Sequence, residues 1–325
     1  MKVVVVGLGS MGKRRIRLIR KKYDSFEIIG VDTNEERRKY CEDAWDIPTY
    51  NNIMETIMAT GADCAFICTP PLSHCDIISQ CLNSGLHVFS ELNLVADGYE
   101  ANIELSKRNN LVLFISSTFL YRDEIMQIKK LTQEAKGMLN YSYHVGQYLP
   151  DWHPWENYQD FFVGNKRSNA CRELFAIELP WLSDVFGDIT NIQVLKSKIS
   201  DLDIDYNDNY LTLVEHASGY RGALIIDVIS RKAVRNLEIF GERLYLHWDG
   251  SPNGLYIYDY MTKKDVNIQL YQEIDQLDNY SNFVVENAYS NEISAFFDAV
   301  LEGQSPVYGF ENDKQILKII DGIEV

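Results

Sequence analysis

No stretch of this chain approaches the roughly 18–20 apolar residues that a membrane-spanning helix requires. Metal-binding patterns are missing too: there is no CxxC, HxxxH or HExxH spacing, and the six histidines are scattered. The expectation is therefore no metal. Six cysteines (Cys41, Cys64, Cys68, Cys75, Cys81 and Cys171) without a paired pattern read as buried free thiols of a reducing, cytoplasmic protein. Positive charge is scarce. Against 47 Asp and Glu stand 31 Lys and Arg, a net charge of −16, which argues against nucleic acid and anionic membrane surfaces as partners. One basic cluster interrupts this, Lys13, Arg14, Arg15, Arg17, Arg20, Lys21 and Lys22. It reads as a solvated helix face whose last members suit a helix C-terminus. The chain opens on a strand pattern, so no signal peptide is expected.

What is present begins with that strand. Val3-Val4-Val5-Val6 runs into Gly7-Leu8-Gly9-Ser10-Met11-Gly12, a buried parallel strand entering a glycine-rich turn that opens a helix. Gly7 permits the tight turn, Gly9 lets backbone approach a pyrophosphate, and Gly12 allows close packing of helix on strand. The phosphates would rest on N–H groups at the positive helix terminus, which include those of Ser10 and Met11. A second apolar strand, Glu27–Val31, ends at Asp32, an acceptor suited to a ribose diol. A carboxylate there repels a 2′-phosphate, so the expected cofactor is NAD rather than NADP. Arg37 and Arg38 follow within the next helix; they could reach a phosphate, but the expectation is that they form part of a solvated face.

At 325 residues and 46% apolar, the chain is long enough for two domains with sizeable cores. Helix and strand patterns alternate to about residue 118, which predicts a doubly wound parallel sheet with ligands at the carboxyl ends of its strands. The segments after Val6, Val31, Cys68 and Ser90 are expected to converge there. From about 139 the texture changes to aromatic and β-branched runs, including Asn140–Gln147, Ile189–Ser197, Tyr210–Ala217 and Gly222–Ser230. These predict a large, mostly antiparallel open sheet with helices on one face. Two amphipathic helices close the chain, around Ile293–Leu301 and Ile316–Ile323. The expected division is 1–118, 119–289 and 290–325. Asp201, Asp203, Asp205 and Asp208 superficially suggest a calcium loop, but the required glycine is missing and strands flank them, so a solvated acidic turn is expected.

The order of these features, with Thr69-Pro70-Pro71 followed by His74 and a strand ending in Glu91, resembles the glucose–fructose oxidoreductase, inositol dehydrogenase and rhizopine catabolism (Gfo/Idh/MocA) family over essentially the full length. The resemblance implies an N-terminal Rossmann domain and a C-terminal α+β open-sheet domain. It implies NAD(P)-dependent chemistry on sugars, cyclitols or nucleotide sugars, and homodimers or homotetramers formed through the open sheet. It also implies that Thr69, Pro70, His74 and Glu91 lie along the nicotinamide half of the cofactor, with Asn93 helping to hold it.

Two departures stand out. The family's Glu-Lys-Pro reads Glu91-Leu92-Asn93 here, without the lysine. The family's His-x-x-Asp helix aligns with residues 171–187, where Ile177 and Pro180 stand in the two places. Hydroxyl oxidation still needs a base within hydrogen-bond reach. Glu178 is one candidate, because it shares a helical stripe with Leu174, Trp181, Leu182 and Val185, and a buried carboxylate gains proton affinity. Its alternative is a structural salt bridge, for example with Arg172. His153 is the other candidate base, in the stiff loop Leu149–Glu156, where Trp152 and Trp155 offer aromatic platforms for a sugar ring. Lys166, Arg172 and Glu173 complete a candidate substrate set, with Arg167 beside them. Pro180 is expected to disturb its helix. The leading expectation is an NAD-dependent oxidoreductase moving a hydride to or from a sugar or nucleotide-sugar-like substrate. The alternatives are a regulatory dinucleotide-binding protein without turnover, and an NAD-assisted elimination or hydrolysis enzyme.

Overall fold

The four opening valines are at most 5% exposed and line the centre of a parallel sheet. A run apolar on both faces can settle only where helices cover both. The computed structural model describes residues 1–154, 156–276 and 283–325, and it divides into two units. The first comprises Met1–Ser117 with Tyr289–Leu317, and the second Thr118–Ala288 with Lys318–Val325.

The first unit alternates strand and helix: β1 (Lys2–Val6), α1 (Ser10–Lys22), β2 (Glu27–Val31), α2 (Glu35–Trp45), β3 (Thr49–Tyr50), α3 (Ile53–Thr60), β4 (Cys64–Ile67), α4 (His74–Asn83), β5 (His87–Ser90), α5 (Tyr99–Arg108) and β6 (Leu113–Ile115). The strands are parallel, in the order β3-β2-β1-β4-β5-β6. The order therefore reverses between β1 and β4, the place where such sheets bind ligands beyond their strand ends.

The second unit contains α6 (Asp123–Glu134), β7 (Asn140–Gly146), α7 (Ala170–Phe186), β8 (Ile189–Ser197), β9 (Asn209–His216), β10 (Arg221–Asp227), β11 (Val234–Phe240), β12 (Tyr245–Trp248), β13 (Leu255–Asp259) and β14 (Lys264–Asn267). The sheet runs β14-β13-β12-β11-β7-β10-β9-β8, with only the β7–β10 pair parallel. Tyr141, Tyr143, Tyr210 and Val214 face inward, and Tyr143 and Tyr210 meet Trp181 and Phe175 of α7 edge-on. The other face is open: the register sets Leu195, Leu211, Ile225 and His144 side by side across four strands. Leu195 and Leu211 are exposed there, as is Leu213 in the adjacent row.

The chain ends in α8 (Glu286–Glu302) and α9 (Phe310–Glu324). Residues 289–317, expected to follow the open-sheet domain as a closing segment, cluster with the first unit. Phe296 packs against Phe66, Phe89 and Phe114, with ring centroids 5.1, 5.7 and 5.9 Å away. Burial of such a ring stabilises by about 2–3 kcal/mol.

Three expectations change. Arg14 and Arg15 of the basic cluster are buried rather than solvated. Pro180 leaves α7 continuous through Phe186. Asp208 is fully buried and accepts from the backbone N–H groups of Ile199 and Ser200, so it organises its turn from inside. Among the described residues no helix is long and apolar enough to cross a membrane, and no group of three or more His, Cys, Asp or Glu could hold a metal ion.

Candidate functional site

In the first unit the glycine turn is closed on two sides and open on one. Gly7 adopts φ +91°, and a Cβ on it would lie 2.7 Å from the Cys68 carbonyl oxygen, so the turn abuts the end of β4. A Cβ on Gly12 would lie 1.9 Å from the Gly7 oxygen, so α1 can approach β1 only with glycine there. At Gly9 a Cβ would meet nothing nearer than an Arg37 guanidinium nitrogen at 3.9 Å. The turn is thus packed against protein where it must be tight and free where a pyrophosphate would approach. Ser10 and Met11 open α1 with their N–H groups at its positive end. The residues present fit a dinucleotide.

Asp32 stands just beyond β2. Its carboxylate accepts from the Leu8 N–H at 2.7 Å and the Asn34 N–H at 2.8 Å, which ties the glycine turn to β2 and fixes both oxygens in place. Each oxygen keeps capacity for a further donor, as a ribose diol would need.

Residues 1–116 match the sequence profile of an oxidoreductase family with an NAD-binding Rossmann fold, GFO_IDH_MocA. This segment is a Gfo/Idh/MocA NAD-binding domain. Over nearly its whole length the chain also has the fold of several solved proteins. Myo-inositol 2-dehydrogenase from Lactobacillus plantarum superposes with TM-score 0.79 at 17% identity, covering 99% of this chain and 96% of that one. UDP-N-acetylglucosamine 3-dehydrogenase GnnA from Acidithiobacillus ferrooxidans gives 0.74 at 16%, covering 100% and 96%. A Synechocystis biliverdin reductase solved with biliverdin and NADP⁺ gives 0.74 at 16%, covering 99% and 97%. Comparison with curated protein sequences yields no match.

Within the Gfo/Idh/MocA domain, the residues expected along the nicotinamide half have other partners. Glu91 is bound by Arg15, with Nε to Oε1 at 2.5 Å and Nη2 to Oε2 at 3.2 Å. The same Nη2 reaches Glu292 of α8 at 2.7 Å, and Glu292 in turn accepts from the Ser116 hydroxyl and the Ser117 N–H. Glu91 is therefore an anchor between β5 and α1 rather than an open cofactor contact. His74 is buried with both ring nitrogens engaged, Nε2 on the Thr69 carbonyl at 2.7 Å and Nδ1 on the Asn93 side chain. Burial lowers its pKa and favours the neutral ring. His74 thus corrects from a ligand contact to a latch that orients Thr69 and Asn93. Pro70 begins the short 3₁₀ turn Pro71–Ser73 that sets this geometry, and Ser73 donates to the Thr69 hydroxyl at 2.8 Å.

In the second unit, Glu178 corrects from a candidate base to a buried ion pair. It is fully buried; Oε1 accepts from Arg235 Nε at 3.0 Å and Nη2 at 2.7 Å. Oε2 accepts from the Tyr143 hydroxyl at 2.8 Å and Trp181 Nε1 at 2.7 Å. Four donors saturate the carboxylate, so taking a substrate proton would dismantle the cluster. Arg172, expected near substrate or Glu178, is instead buried against Asp321 and Glu324. His153 pairs with Glu156 at 2.7 Å and lies against the Phe161 ring, centroids 4.4 Å apart. Trp152 donates to the Gln147 carbonyl, and Lys166 and Arg167 are exposed. Trp155 lies outside the described residues.

Glu173 behaves differently from all of these. From Ala170 to Leu182, every α7 residue is buried except Glu173 and Ile177, which lie one turn apart on the same face. Glu173 Oε2 is inaccessible and has no hydrogen-bond partner, although the residue as a whole keeps some surface. Burial pushes its carboxyl from 4.5 up to about 7, partly opposed by the Arg235 guanidinium. A buried carboxyl with one unpartnered oxygen and a raised proton affinity is a candidate for general acid–base work. Ile177, beside it, holds the position where the resemblance places a histidine.

Sequence reasoning missed Arg15, Glu292, Tyr143 and Arg235, whose partners are distant in sequence. It also missed His144 and Asp227, paired at 2.7 Å at the outer face of the open sheet. The one available signal was the four-residue spacing of Arg15 and Ile19, which puts Arg15 on the apolar face of its helix.

Proposed function

We propose that the chain is an NAD(H)-dependent oxidoreductase that moves a hydride to or from a hydroxyl-bearing carbon of a sugar-like or nucleotide-sugar substrate, with Glu173 handling the hydroxyl proton. The observation that carries the cofactor half is the glycine turn, closed at Gly7 and Gly12 and open at Gly9, with Asp32 held behind it. When bound, the nicotinamide supplies the hydride acceptor or donor. Asp32 would hold the adenosine ribose, and the α1 N-terminus the pyrophosphate. Thr69 and Asn93, oriented by His74, are the groups proposed for the nicotinamide half. The substrate class rests on similarity to proteins named as inositol and nucleotide-sugar dehydrogenases.

Substituting Glu173→Gln tests the assignment. In the oxidising direction the carboxylate must be ionised, so wild-type kcat/KM is expected to rise through about pH 7. The variant is expected to lose roughly 10²–10⁴-fold in kcat/KM, to lose that inflection, and to bind NADH as before. Stability moves the other way. The unfolded chain releases this proton at a lower pH than the folded one, so wild-type stability falls as pH climbs from 4.5 to about 7. Glu173→Gln is therefore expected to raise the melting temperature at pH 8 and to change it little at pH 4. No turnover of either dinucleotide across a panel of cyclitols, hexoses and nucleotide sugars would sink the enzyme reading. That outcome favours the second reading, a dinucleotide-binding protein without catalysis, which the absence of lysine at Leu92 and histidine at Ile177 supports.

The assembly proposed is a homodimer or homotetramer through the open sheet face. Leu211 is 44%, Leu213 58% and Leu195 73% exposed, an apolar patch of the kind that marks interfaces. The double substitution Leu211→Asp, Leu213→Asp is expected to give monomers in sedimentation velocity. A wild-type monomer at micromolar concentration would remove the proposal.

A further inference from the structure

The end of β2 carries a feature that the acid alone does not account for. Arg37 lies in the first turn of α2, its N–H bonded to the Asn34 side chain at 3.1 Å. Its guanidinium folds back over the glycine turn, with Nη1 3.8 Å from Asp32 Oδ2 and 3.9 Å from where a Cβ on Gly9 would stand. The side chain is 53% exposed. It therefore spans the gap between Gly9 and Asp32, where an adenosine ribose would lie. Arg38 brings a second cation to the same turn, with Nη1 donating to the carbonyl oxygens of Asp32 at 2.7 Å and Thr33 at 3.1 Å.

We propose that Arg37 makes this end of the site accept a 2′-phosphate, so that NADP(H) binds as well as NAD(H). The inference rests on the dinucleotide reading above and deepens it. A lone carboxylate at this position repels a 2′-phosphate, but here Asp32 is not alone. Its oxygens are turned onto two backbone N–H groups and its charge faces Arg37. Asp32, Arg37 and Arg38 together carry a formal charge of +1, and the positive end of α2 adds to it. The opposing charges are Glu35 and Glu36, both exposed in the same first turn. A guanidinium offers a planar pair of donors matched to phosphate oxygens, and when Arg37 turns onto one, Asp32 keeps both of its backbone N–H donors.

The test is direct titration of the whole protein with NADH and with NADPH, followed by nicotinamide fluorescence, for wild type, Arg37→Ala and Arg37→Lys. Wild-type affinities are expected within about tenfold of each other. Arg37→Ala is expected to weaken NADPH roughly ten- to a hundredfold, as for loss of a charge-assisted hydrogen bond, and NADH less than about threefold. Arg37→Lys is expected to retain part of the NADPH affinity, with steeper salt dependence. Wild-type NADPH binding more than about a hundredfold weaker than NADH would overturn the proposal. Equal weakening of both ligands in Arg37→Ala would also overturn it, because it would place Arg37 on the adenine they share. Failure to bind NADH at all would instead overturn the dinucleotide reading, so the two failures are told apart.

Discussion

Glu178→Ala is expected to cost the second unit about 3–5 kcal/mol, the loss typical of removing one member of a buried ion pair. Arg235 would keep its charge in a nearly closed site, its side chain 13% exposed, with neither of its two bonds to Oε1. The Tyr143 hydroxyl and Trp181 indole would lose their common acceptor as well. Against a typical domain stability of about 5–15 kcal/mol, this is a large fraction. Urea unfolding monitored at the tryptophans measures it. The double variant Glu178→Met, Arg235→Met is expected to recover much of the loss, since a packed apolar pair often replaces a buried ion pair at little cost. A midpoint unchanged in Glu178→Ala, with activity lost, would return Glu178 to the role of catalytic base.

Arg15→Met carries the second large effect, again about 3–5 kcal/mol, this time in the first unit. Arg15 is the cation between Glu91 and Glu292, and all three are buried. Methionine would fill much of the volume and leave two carboxylates facing a dry site. The pH dependence follows from Glu292, whose carboxyl burial already raises above its ordinary range, with Arg15 opposing. Removing Arg15 removes that opposition. The folded variant would hold a proton that the unfolded chain has released, so its stability falls as pH rises. The deficit relative to wild type is expected to be smaller at pH 5 than at pH 8 in denaturant titrations. An equal deficit at both would show that the carboxylates find other compensation.

These clusters mark where sequence reading ends. The strands His87–Ser90 and Ile189–Ser197 lie where their patterns put them, because apolar and β-branched runs bounded by turn residues carry local information. The glycine turn was legible for the same reason. Glu178 was legible only by half: its stripe showed that it is buried, but its partner Arg235 is 57 residues away. Arg15 and Glu292 are 277 residues apart, beyond any periodicity. Arg37 read as solvated because its helix face is exposed, and only the fold shows its guanidinium turned back over Gly9. The helix Asp123–Glu134 was missed although two acids open it and Ile125 and Ile128 mark its buried face. The edge strands β13 and β14 have few buried residues to pattern them.

The return of α8 to the first unit has a consequence for synthesis. Phe296 and Glu292 complete the core and the charge balance of a unit whose glycine turn was made nearly three hundred residues earlier. While the ribosome is still producing the open sheet, Arg15 has only Glu91 to neutralise it, and Phe66, Phe89 and Phe114 lack the ring that covers them. N-terminal units commonly fold first as they emerge. This one must wait for α8, so the segment recognisable as a Rossmann domain is not by itself a complete folding unit.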